Sequence, residues 1–418
     1  MIFLYRVLIN IVFILSPLII LFRLIKRKED LKRFKEKFCF FSKNRKHGKL
    51  IWFHGASVGE LQSIVPLLEK LDKDFKIKQI LVTSNTLSSS KVLSNLKLKK
   101  TIHQFYPIDT NLHSQNFLKY WRPSMAIFLD SEIWPNMIYN IKKKKISLIL
   151  LNARITKKSF KRWKFFSSNA KIIFQKFDIC LSASLKSKTY LKSLGAKNIK
   201  YIGNLKFSQT EKNEYLLNDN LKKFFNTKKI WCSASTHNTE ENLTALAHKK
   251  LKLKYKNLLT IIIPRHINRT DSILQKIQKL NLKIHLDNSH KIPPKETDIY
   301  LVNSYGKTKS FFKICKTVFL GGSMIKHGGQ NPLEPARYGC TILHGPYVWN
   351  FEEIYGLLER YKVSQKISNL DQLVNKMNLI FRNKTNSQNI EYKIKSLGNK
   401  ILNLTLKEIN YYIKINEN

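Results

Sequence analysis

Residues 321–335 read Gly-Gly-Ser-Met-Ile-Lys-His-Gly-Gly-Gln-Asn-Pro-Leu-Glu-Pro, and their setting decides the fold. The apolar run Thr317-Val318-Phe319-Leu320 precedes them and is expected to be a buried strand. Leu333-Glu334-Pro335-Ala336-Arg337-Tyr338 can open a helix, with Pro332 near its first position. The order is therefore strand, glycine-rich loop, helix start. Glycines let a backbone approach a ligand, and unpaired N–H groups at a helix start attract anions. The spacing matches neither a Walker loop nor G-x-G-x-x-G, and a tight turn between two ordinary elements also accounts for the glycines. Glu334 supplies the functional reading. A carboxylate in a first helical turn can hold two vicinal sugar hydroxyls while the helix end faces a phosphate, which suggests a nucleotide-sugar site.

The same strand-then-helix order recurs through the chain. Strands are expected at Leu50–Phe53, Gln79–Thr83, Met125–Leu129, Ile146–Leu151 and Asp178–Ser182, with helices between them, including Gly59–Leu71 and Leu87–Leu98. A second series starts near Lys229, with strands at Ile230–Ala234, Leu258–Ile263, Ile299–Val302, Thr317–Leu320 and Thr341–Leu343. Strands alternating with helices imply parallel sheets covered on both faces, with ligands at the carboxyl ends of the strands. At 418 residues the chain is long enough for two such domains. The expected division is 50–207 and 229–390, joined by a polar linker at 208–228 and followed by a basic helical tail at 391–418. Two doubly wound Rossmann-like domains facing across a cleft would be a glycosyltransferase-like, GT-B arrangement. Periodicity alone leaves other two-domain α/β enzymes open.

Residues 1–25 are strongly apolar, and Lys26-Arg27-Lys28 opens a basic juxtamembrane segment at 26–49. The charge follows the apolar run and no small-residue cleavage site is evident, which argues against a cleaved signal peptide. An uncleaved membrane anchor is expected, with the rest of the protein in the cytoplasm; a helix lying in the membrane interface is the rival. The basic flank would also meet anionic headgroups. Overall, 75 Lys+Arg against 28 Asp+Glu give a net charge of +47, which favours anionic partners. Abundant Lys, Ile and Asn also fit an AT-rich coding sequence, a neutral source for part of the excess. The 5 Cys lack C-x-x-C spacing, so neither a disulfide framework nor a zinc site is expected.

Several strand ends carry candidate chemistry. Glu60 ends His54-Gly55-Ala56-Ser57-Val58-Gly59-Glu60, at a helix start whose dipole would favour its ionised form. It could serve as a general base, or simply as the acid of a capping box with Ser57. Glu132 lies in Asp130-Ser131-Glu132-Ile133-Trp134-Pro135-Asn136, where it could meet a cation, ammonium or hydroxyl, or cap the helix that Pro135 starts. Arg154 follows Asn152-Ala153, and Lys206 lies in Gly203-Asn204-Leu205-Lys206; a salt bridge and a surface lysine are their ordinary readings. Arg265 and His266 end a strand, where the arginine fork could pair with a phosphate, and Ser235-Thr236-His237 ends another.

Together these segments resemble the bacterial Kdo transferases, membrane-anchored GT-B glycosyltransferases of family 30. The carriers are H-G-A-S-V-G-E at 54–60, S-E-I-W-P-N at 131–136, N-A-R at 152–154, G-N-L-K-F at 203–207, A-S-T-H at 234–237, P-R-H at 264–266 and G-G-Q-N-P-L-E-P at 328–335. The resemblance implies transfer of 3-deoxy-D-manno-octulosonic acid (Kdo) from CMP-Kdo to the lipid A precursor, lipid IVA, at the bacterial inner membrane, without metal or cofactor. It places the general base at Glu60 and transition-state stabilisers at Glu132 and Lys206. It places CMP contacts at Arg265 and His266, at Tyr305, Gly306 and Lys307, and at Asn331, Pro332, Leu333 and Glu334. Tyr305 and Lys307 stand where the family commonly has Met and Glu, and Gln330 where it has His; Lys307 is a candidate for the CMP phosphate. The alternatives are a GT-B enzyme using another nucleotide sugar, or a basic membrane-anchored nucleic-acid or lipid binder. No RNP, helix-turn-helix or zinc pattern supports nucleic acid as a partner.

Overall fold

The computed structural model describes residues 2–209, 217–287, 291–383 and 387–415. The chain divides into two compact units, residues 1–210 with 397–418, and residues 211–396. The first unit holds a seven-stranded sheet: β1 (Leu50–His54), β2 (Gln79–Ser84), β3 (Thr101–Phe105), β4 (Met125–Leu129), β5 (Ser147–Ala153), β6 (Ile179–Ser182) and β7 (Ile199–Tyr201). Every pairing is parallel, in the order β3-β2-β1-β4-β5-β6-β7. All residues of β1, β2 and β4 are buried, as continuous apolar runs require when helices cover both faces. Trp52, Phe117, Trp121, Phe128 and Phe174 fill the core on one side of the sheet.

The second unit repeats the plan with β8 (Lys229–Thr236), β9 (Leu258–Pro264), β10 (Ile284–Leu286), β11 (Ile299–Leu301), β12 (Thr317–Leu320), β13 (Thr341–His344) and β14 (Ser364–Lys366). The order is β10-β11-β9-β8-β12-β13-β14, again all parallel. Strand order reverses between β1 and β4 in one sheet and between β8 and β12 in the other. Such reversals open the crevices where doubly wound sheets take ligands. Two Rossmann-like units in one α/β chain make the GT-B class expected from the sequence.

Local chemistry explains where the helices start. Ser57, Thr86, Thr110, Thr156 and Ser184 each accept the N–H three residues on, satisfying a donor the helix cannot. The structure adds elements that the sequence reading did not contain, among them the short strands β10 and β14. Strand β3 and the helix Asn111–Trp121 were not anticipated. Asp219–Asn226 is helical within the expected linker, because Leu221, Phe224 and Phe225 are buried and Phe225 packs on Tyr300 and Phe311. Residues 210–216 of that linker lie outside the described residues. The helix expected over 87–98 stops at Ser94.

The basic segment 26–49 is part of the first unit rather than a free flank. Buried Glu29 accepts from Arg23 and Lys37 at 2.6 Å each, and buried Glu36 pairs with Arg33 and accepts from the Phe105 backbone at 2.7 Å. The tail forms one helix, Ser387–Ile415, whose residues from Leu397 belong to the first unit. Gly398 lets it settle there, since a Cβ would lie 2.3 Å from the Phe207 carbonyl oxygen.

In the second unit Gly321, at the end of β12, is equally constrained. A Cβ there would lie 2.4 Å from the Ser235 carbonyl oxygen and 2.6 Å from Thr236 Cα. Both are backbone atoms that cannot rotate away. Gly321→Ala is expected to destabilise the unit by about 1–3 kcal/mol, the usual scale of overpacking, and thermal melting of the two proteins checks it.

Candidate active site

The reversal between β1 and β4 gathers the carboxylates of the first unit. His54 ends β1, Gly55-Ala56-Ser57 turns the chain, and Glu60 sits in the first turn of the helix Val58–Leu71. A Cβ on Gly55 would lie 2.8 Å from Leu129 Cδ1, so a larger residue there would have to displace that leucine side chain. The capping box is formed: Ser57 Oγ accepts from the Glu60 N–H, and Glu60 Oε2 accepts from the Ala56 and Ser57 N–H groups at 2.7 and 3.4 Å. Ser57 Oγ also lies 2.8 Å from Glu60 Oε1 as its donor.

A capping carboxylate at a helix start would ordinarily stay ionised. Here burial, then the charges of Asp130 and Glu132, push the Glu60 carboxyl up to about 7, against the hydrogen bonds from Ser57 and Ala56. The dipole expectation is therefore reversed. Glu132 goes the other way. Burial raises it, but His54 and the Trp134 indole outweigh burial and leave it below the ordinary carboxylate range. Trp134 Nε1 donates to Glu132 Oε2 at 2.8 Å, and His54 Nε2 lies 3.3 Å from the same oxygen. His54 is fully buried, stacked on Tyr106 at 3.8 Å between centroids, with Nδ1 3.0 Å from Thr83 Oγ1.

Asp130 is the third carboxylate, buried at the end of β4 with φ of 50°. Burial raises its carboxyl, while Lys206, the Asn152 amide and Arg154 pull it down without cancelling burial. Asn152 donates to Asp130 Oδ1 at 2.6 Å and accepts from the Leu205 N–H at 2.9 Å, which ties the ends of β4 and β5 to the segment bearing Lys206. Glu60, Asp130, Glu132 and Lys206 thus form one electrostatically coupled group.

In the second unit, a buried carboxylate holds the glycine-rich loop. Glu240 accepts from the backbone N–H groups of Gly322 at 2.7 Å, Ser323 at 3.0 Å, Met324 at 2.9 Å and His237 at 2.9 Å. Burial raises its carboxyl despite these four donors. The loop closes on itself through Gly329 N–H to Gly322 O at 2.8 Å and Tyr355 O–H to Gln330 O at 3.1 Å. His237 packs beside His327 at 4.2 Å and His266 at 5.9 Å, and Gln330 Nε2 lies 3.4 Å from His237 Nε2. Burial, then His327, His266, Arg269 and Arg265, depress His237 to about 4. That neutral imidazole lies in a positive field suited to an anion. Among the described residues no group of three or more His, Cys, Asp and Glu could hold a metal ion.

Comparison with known proteins decides the family. The model for 3-deoxy-D-manno-octulosonic-acid transferase (kdotransferase) matches residues 32–209. A 3-deoxy-D-manno-octulosonic acid transferase of Rickettsia bellii is 32% identical, with the match covering 96% of each chain. The chain belongs to the Kdo transferase family. It is a glycosyltransferase that moves Kdo in lipopolysaccharide biosynthesis. A probable mitochondrial Kdo transferase of Arabidopsis thaliana is 30% identical over 86% of this chain and 83% of its own. Among solved structures, a putative UDP-N-acetylglucosamine 2-epimerase of Listeria monocytogenes superposes with a TM-score of 0.58 at 13% identity, covering 87% and 97% of the two chains. That likeness speaks for the fold alone.

In this Kdo transferase the first-unit residues singled out from sequence, Glu60, Glu132 and Lys206, come together. In the second unit, exposed Arg265 and His266 follow β9 and act on His237. Asn331 to Glu334 continue the loop, and the Asn331 side chain accepts from the Leu333 N–H at 3.2 Å. The helix there, Leu333–Arg337, has only 5 residues, so its dipole is weaker than the sequence suggested. Tyr305, Gly306 and Lys307 follow β11, the neighbour of β9. Lys307 Nζ bonds Asp287 at 2.7 Å, and Asp287 also accepts from Tyr300 and Ser304. Sequence reasoning missed Asp130, His54 and Glu240 as organising groups. The available signal was an acid directly after an all-apolar strand, and a histidine ending one.

Carbon-13 NMR of the Glu60 side chain is expected to titrate with a midpoint of about 7. Removing a negative neighbour favours ionisation, so Glu132→Gln is expected to move that midpoint to lower pH. An unmoved midpoint would show that the two carboxylates do not share a field.

Proposed function

We propose that this enzyme transfers Kdo from CMP-Kdo to lipid IVA, the lipid A precursor, with inversion at the anomeric carbon, on the cytoplasmic side of the inner membrane. The supporting observation is the split between two neighbouring carboxyls, Glu60 pushed up to about 7 and Glu132 held below its usual range. Neighbouring acids driven apart in this way fit different roles in one reaction. Glu60 is matched to accepting a proton at neutral pH, and Glu132 stays ionised.

In this reading a glucosamine hydroxyl of the acceptor hydrogen-bonds to Glu60. Its oxygen forms a bond to the anomeric carbon as the bond from that carbon to the CMP phosphate oxygen breaks. Glu60 takes the hydroxyl proton, and the bonding pair leaves with CMP. The charge developing on the phosphate needs a cation, for which Lys206 is proposed. Glu132 steadies positive charge developing on the sugar. The second unit takes the nucleotide: Glu334 holds the ribose, while Arg265, His266 and the Asn331–Leu333 backbone meet the phosphate and base. The His237 environment supports an anion there. Lys307, already paired with Asp287, braces the Tyr305-Gly306 turn rather than reaching the phosphate. The apolar helix Phe3–Ile25, long and apolar enough to cross a membrane, fits attachment to the membrane that holds the acceptor.

Mass spectrometry of lipid IVA incubated with CMP-Kdo and the enzyme is expected to show added Kdo. No product with this donor, and product with another nucleotide sugar, would replace the assignment. Glu60→Gln is expected to bind CMP normally and lose at least about a hundredfold in turnover, the scale of general-base loss. The wild-type rate should rise with pH through about 7, because the base works when deprotonated. Glu334→Ala is expected to weaken CMP binding in calorimetry, and unchanged affinity would remove Glu334 from the donor site.

A further inference from the structure

The helix Ile2–Ile25 is seated on the first unit by one of its faces. Tyr5, Arg6, Phe13, Ser16 and Ile20 share one stripe, at the three- and four-residue spacing of a helix face, and all are partly or fully buried. Tyr5 O–H donates to Asp109 Oδ2 at 2.7 Å. Arg6 Nε donates to Asn136 Oδ1 at 3.0 Å, with its guanidinium over the Tyr139 ring. Phe13 packs on His113 at 4.8 Å and on Phe38 at 6.1 Å. Ser16 Oγ turns inward to the Phe13 carbonyl. At the far end Arg23 bonds Glu29.

The remaining faces are bare and apolar: Phe3 is 80% exposed, Ile14 73%, Leu18 68% and Ile25 72%. A helix of 24 residues is about 36 Å long, enough to cross a hydrocarbon core of about 30 Å. Crossing would carry Asp109 and Asn136 towards that core with it, or else break the Tyr5 and Arg6 bonds and the Phe13 packing and leave buried Asp109 without its tyrosine. Either is costly, because a bilayer interior offers polar groups no replacement partners. Lying in the interface costs neither. It sinks the bare faces into lipid and keeps the docked stripe on protein. Exposed Lys26, Arg27, Lys28, Lys32 and Lys35 follow directly, so the basic edge meets anionic headgroups.

We propose that the N-terminal helix is an in-plane anchor, seated on the first unit by its polar stripe and covered on its other faces by one leaflet of an anionic bilayer. The inference rests on the membrane attachment proposed above and specifies its form. Asp109 also accepts the backbone N–H groups of Asn136 and Met137, at 3.1 and 2.9 Å. These open the helix Pro135–Lys143, directly after the segment bearing Glu132 and Trp134. One carboxylate therefore fixes both the anchor and the segment that carries Glu132, and the lipid surface acquires a set position relative to that residue.

The test is topological. The full chain, carrying a protease-cleavable peptide tag ahead of Met1, is expressed in a bacterium and collected in inverted inner-membrane vesicles, whose cytoplasmic face is outward. The chain is expected to sediment with the vesicles and the tag to be cleaved by added protease without detergent, because both ends of an in-plane helix stay on the side of the catalytic units. A tag protected until detergent is added, with the chain still membrane-bound, would mean that the helix spans and would overturn the in-plane anchor alone. A chain that stays in the soluble fraction, as a monomer or as an oligomer covering its own apolar faces, would overturn the membrane attachment itself.

Discussion

Three carboxyl groups, Glu60, Asp130 and Glu132, share the crevice where the strand order of the first sheet reverses, and like charges held that close cannot all be ionised without cost. The surrounding structure is arranged around that constraint. His54 and Trp134 serve Glu132, so it keeps its charge. Asn152, Lys206 and Arg154 ease Asp130, although burial still raises it. Glu60 receives only the donors of its own capping box, and these fail to offset burial and its two acidic neighbours. Its high pKa is set by where the support goes, rather than by any single contact. The acid of the capping box and the carboxyl pushed up to about 7 are the same residue.

The second unit handles its buried acid differently. Glu240 has no acidic neighbour among the causes that shift it; it spends both oxygens on four backbone N–H groups of the glycine-rich loop and the β8 end. Those donors would otherwise form an anion-binding nest. With the nest filled from within, the loop is held by the protein's own carboxylate. Gly321 and Gly322 are explained by the same packing. One admits the Ser235 backbone, and the other, at φ of 64°, turns beside His237 and His327.

Much of this was legible in the sequence because parallel strands buried on both faces leave continuous apolar runs, and Leu50–Phe53 or Met125–Leu129 can hardly be anything else. The S-V-G-E box and Pro135 also mark their helix starts locally. What the sequence concealed depends on distant partners. Thr101–Phe105 contains His103 and Gln104, which read as surface, yet His103 is buried against Ser84 and Arg33. Asp219–Asn226 looks like linker until Phe225 meets Tyr300. The ionisation order of Glu60 and Glu132 was out of reach for the same reason, since it depends on Asp130 and His54 arriving from other strands.

The charge balance follows from this division of labour. Among the described residues eight acids are buried, Glu29, Glu36, Asp109, Asp130, Glu240, Glu241, Asp287 and Asp298, while no lysine or arginine is. Most of the eight hold structure together: Glu29 and Glu36 secure the segment after the N-terminal helix, Asp109 the helix itself, Glu241 pairs with Arg269, and Asp287 with Lys307. Each of these pairs cancels one basic side chain near the surface, and the lysines and arginines left over carry the net charge of +47. A surface of that sign favours anionic partners in general, while the paired acids inside hold the basic side chains they meet in fixed places.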